Sequence, residues 1–235
     1  MREVDEQTGA GAFGIVGALV GLVASVPLLG LGEAVPTPSA VLAVAAMALV
    51  SGAIHLDGLA DTADALVAVD TDRAERARKD PAVGVAGAAA LFLVLALDVA
   101  SLTSLLSNGD PVMASVACVI AATVSRVVPV AIVRLAPSST SGGGLGAWFA
   151  RRVTLVELGL ASATAAALVI AAAVAIDRPE LLVAGLAGGL IGIGSSAGLI
   201  RIRRQLDGDL LGAGVELAVA GTLLAAAVLT AWPIL

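Results

Sequence analysis

Only one cysteine, Cys118, and one histidine, His55, occur in 235 residues. A lone cysteine inside an apolar run excludes an intramolecular disulfide and a cysteine metal cluster, and it reads as a small packing residue. Basic charge is also scarce: 13 lysines and arginines stand against 19 acidic residues, for a net charge of −6. Nucleic-acid binding needs a concentrated basic surface, so that partner class is excluded. The amino terminus Met1-Arg2-Glu3-Val4-Asp5-Glu6 is acidic where a secretory leader is basic. No small-residue cleavage site follows, and the first apolar stretch is expected to stay in the chain. There is no stretch polar enough for a soluble domain, no low-complexity tail and no internal repeat.

What remains is apolar. Hydrophobic residues make up 59% and charged residues 14%, and the mean hydropathy is +1.03. A bilayer core of roughly 30 Å needs about 20 apolar residues per helix. The pattern predicts an all-α, polytopic integral membrane protein with about seven transmembrane helices, forming one domain over 1–235. The spans are expected at 10–31, 37–54, 84–106, 111–135, 154–176, 180–200 and 211–231, the second being the shortest. Arg2, Arg73, Arg76, Arg78, Lys79, Arg151, Arg152, Arg201, Arg203 and Arg204 then share one side, and the other carries Arg178. The positive-inside rule makes the arginine-rich side cytoplasmic, with the carboxyl terminus outside and the loops of chemical interest inside a cell membrane. Small residues such as Ala184-Gly185 and Gly188-Gly189 permit close helix packing in lipid. They leave a homo-oligomer open without requiring one.

The longest polar loop is expected at 55–83, and it opens on His55-Leu56-Asp57-Gly58-Leu59-Ala60-Asp61-Thr62-Ala63-Asp64. In a helix, Asp57, Asp61 and Asp64 would stand at i, i+4 and i+7 on one face. Three like charges on a face repel unless a cation lies between them. Hard oxygen donors favour Mg²⁺, especially an ion that also holds phosphate. Further on, Lys79-Asp80-Pro81 places a cation where diphosphate oxygens left uncovered by metal could be neutralised. The neighbouring arginines also satisfy the positive-inside rule alone.

Charges within spans need partners. Arg126 lies about ten residues inside its helix, and either contacts substrate at the floor of a cavity or pairs with Asp98. Arg134 can snorkel to the interface. Glu157 and Glu216, near span ends, either line a cavity or face water. Trp148 and Phe149 before Arg151-Arg152 read as an interfacial anchor.

The acidic run, together with Lys79-Asp80, Gly84 and the later Gly208-Asp209-Leu210-Leu211-Gly212-Ala213-Gly214-Val215-Glu216, resembles the cobalamin synthase family, the adenosylcobinamide-GDP ribazoletransferases. The resemblance covers most of the chain in order and spacing. It implies a Mg²⁺-dependent membrane transferase that joins adenosylcobinamide-GDP to α-ribazole, or its 5′-phosphate, and releases GMP. It further implies metal ligation by Asp57, Asp61, Asp64 and Asp80, catalytic roles for His55, Asp61, Lys79 and Arg126, and substrate contacts from Ser125, Gly208 and Asp209. The chain departs from the family pattern at Pro81, at Arg204-Gln205-Leu206-Asp207, and in Ser138 to Gly146, where an acidic residue expected before Gly144-Leu145-Gly146 is absent.

The chemistry asks for in-line attack of a ribazole hydroxyl on phosphorus while GMP leaves. His55 or an aspartate of the acidic run could take the proton. Two other classes compete. A CDP-alcohol phosphotransferase also gathers aspartates from membrane helices, but no arginine stands in register after Asp57-Gly58. A transporter would instead use Asp98, Arg126 and the glycine-interrupted helices.

Overall fold

The computed structural model describes residues 8–67, 82–107, 110–135 and 145–232. Among these residues the structure is helical, with no strand. A 3-10 turn, Ala10–Ala12, leads into α1 (Phe13–Leu31), followed by α2 (Pro36–Val50), α3 (Ile54–Val67), α4 (Val85–Ser107) and α5 (Pro111–Leu135). A short α6 (Leu145–Arg152) precedes α7 (Leu155–Ala175), α8 (Glu180–Arg203) and α9 (Gly208–Ala231).

Among the described residues six helices are long and apolar enough to cross a membrane, and a bent pair, α2 with α3, brings the number to seven if it counts as one span. The expected spans therefore lie close to where the hydropathy put them, and the second departs most. The second span stops at Val50, and the polar stretch expected as a loop from residue 55 is helical as far as Val67. The two helices meet at 91°. The break falls at Gly52 and Ala53, both left-handed at φ 61° and 57°, a conformation that costs alanine but little for glycine. Beyond the break, Gly58, Leu59, Ala60, Thr62 and Ala65 are buried while Asp57 is exposed. This helical alternation of apolar and acidic faces gives α3 one side to rest on the bundle.

Helices α5 and α9 form the centre and are mostly buried, whereas α4 and α7 are mostly exposed along their length. Their neighbours leave Leu19, Phe92, Val174 and Leu186 outward, as a lipid-facing surface requires. Close approach depends on missing side chains. A Cβ at Gly21 would fall 2.5 Å from the Val119 Cα, and one at Gly192 would fall 2.7 Å from the Gly214 carbonyl oxygen, so α1–α5 and α8–α9 pack nearly backbone to backbone.

The helices run so that one end of the bundle carries α3, α6 and the starts of α4, α7 and α9. Two caps define that end. Thr154 and Glu157 form a reciprocal capping box on α7, and Glu157 also accepts from the Thr8 hydroxyl. Asp207 caps α9 by accepting from the Leu210 N–H at 3.0 Å and pairs with Arg203 at 3.3 Å. The last span accordingly begins at Gly208, three residues before the hydropathy boundary. At the opposite end, Arg178 bridges Asp110 at 3.4 Å and Glu180 at 3.6 Å.

Candidate active site

The acidic run acquires its helical geometry on α3, so Asp57, Asp61 and Asp64 do share a face, with Asp57 exposed and the other two half-buried. Three contacts fix that helix. Gly58 lies against Asp209 so tightly that a Cβ would be 2.6 Å from the Asp209 carbonyl oxygen. Gly212, one turn further along α9, faces His55, with a Cβ position 3.2 Å from the His55 Cα. On the other side, the Asp64 carboxylate accepts from the Gly84 N–H at 2.7 Å and the Gly87 N–H at 2.9 Å, at the first turn of α4.

A third segment closes in from α6. A Cβ on Gly146 would lie 2.6 Å from the Gly208 nitrogen, so the glycine after Leu145 rests directly on the start of α9. Residues 145–152, which fall between the expected spans 111–135 and 154–176, form helix α6. Phe149 is buried and stacks on Phe13, with centroids 5.5 Å apart and ring planes at 7°, so it packs into the bundle. Trp148 lies under the Arg152 guanidinium at 5.2 Å, in keeping with an anchor.

The structure thus brings His55, Asp57, Asp61, Gly208 and Asp209 to one end of the bundle. Ser125 and Arg126 lie deeper. Arg126 is roughly 13 Å below the end of α5, at about 1.5 Å per residue, and Ser125 is fully enclosed. The guanidinium Nη1 donates to the Ser125 Oγ at 2.9 Å, and that hydroxyl donates to the Ala122 carbonyl at 3.1 Å. Arg126 lines a cavity of about 20 Å³ with Asp98, Glu216 and Leu56 of α3, enough for about one water. Among the described residues no ion pair joins Arg126 directly to Asp98, whose Oδ1 has no hydrogen-bond partner. The two line the same cavity, and Glu216 joins them there. Glu157 is occupied by its cap, and Arg134 is exposed at the end of its helix. Lys79 and Asp80 lie outside the described residues.

The donor set suits Mg²⁺ in kind. Asp57 and Asp61 offer hard oxygens one turn apart, and Mg²⁺ is commonly held by one or two carboxylates with phosphate and water completing its shell. Among the described residues no group of three His, Cys, Asp or Glu side chains is gathered as an all-protein metal site would require. Two carboxylates one turn apart are compatible with an ion whose shell is completed by phosphate and water.

Sequence reasoning passed over the glycines. Gly58, Gly87, Gly146 and Gly212 each mark a close backbone approach between distant segments, a contact no local pattern records.

The profile of the CobS family, cobalamin-5-phosphate synthase, matches residues 2–227. The chain is 38% identical to an adenosylcobinamide-GDP ribazoletransferase of Leptothrix cholodnii over 86% of its length and 78% of the relative's. It is 35% identical to proteins of the same name from Rhizobium etli, over 92% and 84% of the two chains, and from Halorubrum lacusprofundi, over 88% and 81%. No solved structure matches it.

Proposed function

Because this chain belongs to the CobS family of cobalamin-5-phosphate synthases, we propose that it transfers the adenosylcobinamide phosphate group from adenosylcobinamide-GDP to α-ribazole or its 5′-phosphate, releasing GMP. The observation that carries the reading is the meeting of three distant segments at one bundle end: the acidic face of α3, the Gly208-Asp209 start of α9, and Gly146 of α6.

In the reaction, the ribazole hydroxyl forms a bond to the phosphorus that carries cobinamide, and the bond from that phosphorus to the oxygen of GMP breaks. Asp57 and Asp61 would hold Mg²⁺, with Asp80 a further candidate ligand; bound there, the ion would neutralise charge on the diphosphate. His55 lies in the first turn of α3 on the side that meets Gly212 of α9, and either it or an aspartate of the opposite, acidic face would accept the hydroxyl proton. Gly208, which packs beside Gly146 at the start of α9, has no side chain and would let a phosphate approach the backbone there. Lys79 would add a cation to the same diphosphate. Arg126, with Ser125 bonded to it, would supply a buried cation below the same bundle end, in a cavity it shares with Asp98 and Glu216.

The bundle end with this site carries Arg134, Arg151, Arg152, Arg201, Arg203 and Arg204, which supports a cytoplasmic orientation. Purified protein in lipid, given adenosylcobinamide-GDP, α-ribazole and Mg²⁺, should release GMP, and Asp61→Asn should lower turnover by about 10²-fold or more without changing membrane insertion. Equal rates would remove Asp61 from the site. A transporter would release no GMP at all.

A further inference from the structure

Asp64 has the residue type and spacing of a metal ligand, yet its carboxylate is committed elsewhere. Oδ2 accepts from the Gly84 N–H at 2.7 Å and Oδ1 from the Gly87 N–H at 2.9 Å. Both donors belong to the start of α4, where N–H groups have no partner within the helix and an anion is favoured by the helix dipole. Neither residue could carry a side chain without displacing the carboxylate it holds. A Cβ on Gly87 would lie 2.5 Å from Asp64 Oδ2 and 2.9 Å from the Ala60 carbonyl oxygen, and one on Gly84 would fall on the same carboxylate. The two glycines are spaced so that one carboxylate takes both amides.

We infer that Asp64 is a positioning residue: it clamps the last turns of α3 to the first turn of α4 and thereby sets the aim of Asp57 and Asp61, and it is not itself a ligand of the divalent ion. The inference rests on the proposed function for what Asp57 and Asp61 do, and on hydrogen-bond geometry alone for the clamp. Charge-assisted bonds to two backbone donors are short and directional. With the Gly58 contact to α9 on the preceding turns, they would hold α3 from both sides.

The test compares three variants of the full-length protein in lipid. Asp64→Asn leaves one acceptor facing two donors, Gly87→Ala disturbs the clamp while keeping every carboxylate, and Asp61→Asn removes a proposed ligand. Bound Mn²⁺, counted by electron paramagnetic resonance, stands in for Mg²⁺. Hydrogen exchange reads the first turn of α4. Asp64→Asn and Gly87→Ala should keep the number of Mn²⁺ sites, with affinity within about threefold of wild type, while turnover per bound Mn²⁺ falls about 10-fold and exchange at the α4 start quickens. A merely structural role would lose Mn²⁺ sites and keep turnover per site. Asp61→Asn should lose Mn²⁺ affinity about 10-fold or more.

The inference is overturned if Asp64→Asn loses Mn²⁺ affinity as Asp61→Asn does while Gly87→Ala retains it. It is equally overturned if Asp64→Asn leaves α4 exchange unchanged. If Gly87→Ala fails to insert, Gly84→Ala makes the same comparison. A wild-type protein that binds no Mn²⁺ would defeat the metal reading of the proposed function, and α4 exchange would then decide the clamp by itself.

Discussion

At the scale of single residues, the site is organised as much by absent side chains as by charged ones. A Cβ at Gly58 would stand 2.6 Å from a backbone oxygen that has little freedom to move, whereas one at Gly212 would stand 3.2 Å from its nearest atoms. Gly58→Ala should therefore cost about 1–3 kcal/mol, the usual penalty of overpacking, with lower thermal stability and reduced turnover. Gly212→Ala should cost less in both. Gly159, whose Cβ position meets nothing within 4 Å, serves as the control, and its alanine variant should melt no lower than wild type. The aspartate spacing was legible because i, i+4, i+7 is a local pattern. The partners of Gly58 were not, because Asp209 lies some 150 residues away and only folding brings it close.

At the scale of elements, hydropathy located the long helices because a bilayer core dictates their length. It placed the second span too far along and read α3 as loop. The reason is physical: a 14-residue helix with three aspartates has no apolar run long enough to register, although its buried face recurs with helical period. The start of α9 moved outward for a related reason. Asp207, which stood out as a departure from the family pattern, supplies the capping oxygen there. Capping can be tested on α7. Thr154→Ala removes one half of a reciprocal pair and should cost about 1 kcal/mol, seen as a lower melting temperature and faster exchange confined to the first turn of α7. Glu157→Ala should do at least as much, since its carboxylate also accepts from Thr8.

At the scale of the whole molecule, the asymmetry of charge between the two ends makes the proposed orientation testable. In a Cys118→Ala background, a cysteine at the exposed Glu33 should react with a membrane-impermeant maleimide in intact cells, and one at the exposed Arg151 only after permeabilisation. The reverse labelling would put the site on the outside. The buried charges were visible in the sequence as expensive residues, but their common cavity was not, because Asp98, Arg126 and Glu216 sit on three helices whose relative rotation no hydropathy pattern records. That arrangement has a bearing on biogenesis. Helix α9 follows every other described helix in the chain, yet it is one of the two most enclosed, and α3 leans on it. A ribosome delivers the aspartates long before it delivers the surface that seats them. During that interval Arg126 waits in the bilayer without Glu216, so the nascent chain should be most vulnerable to membrane proteases until its final helix arrives, and arrested chains that stop short of it should be cleared fastest.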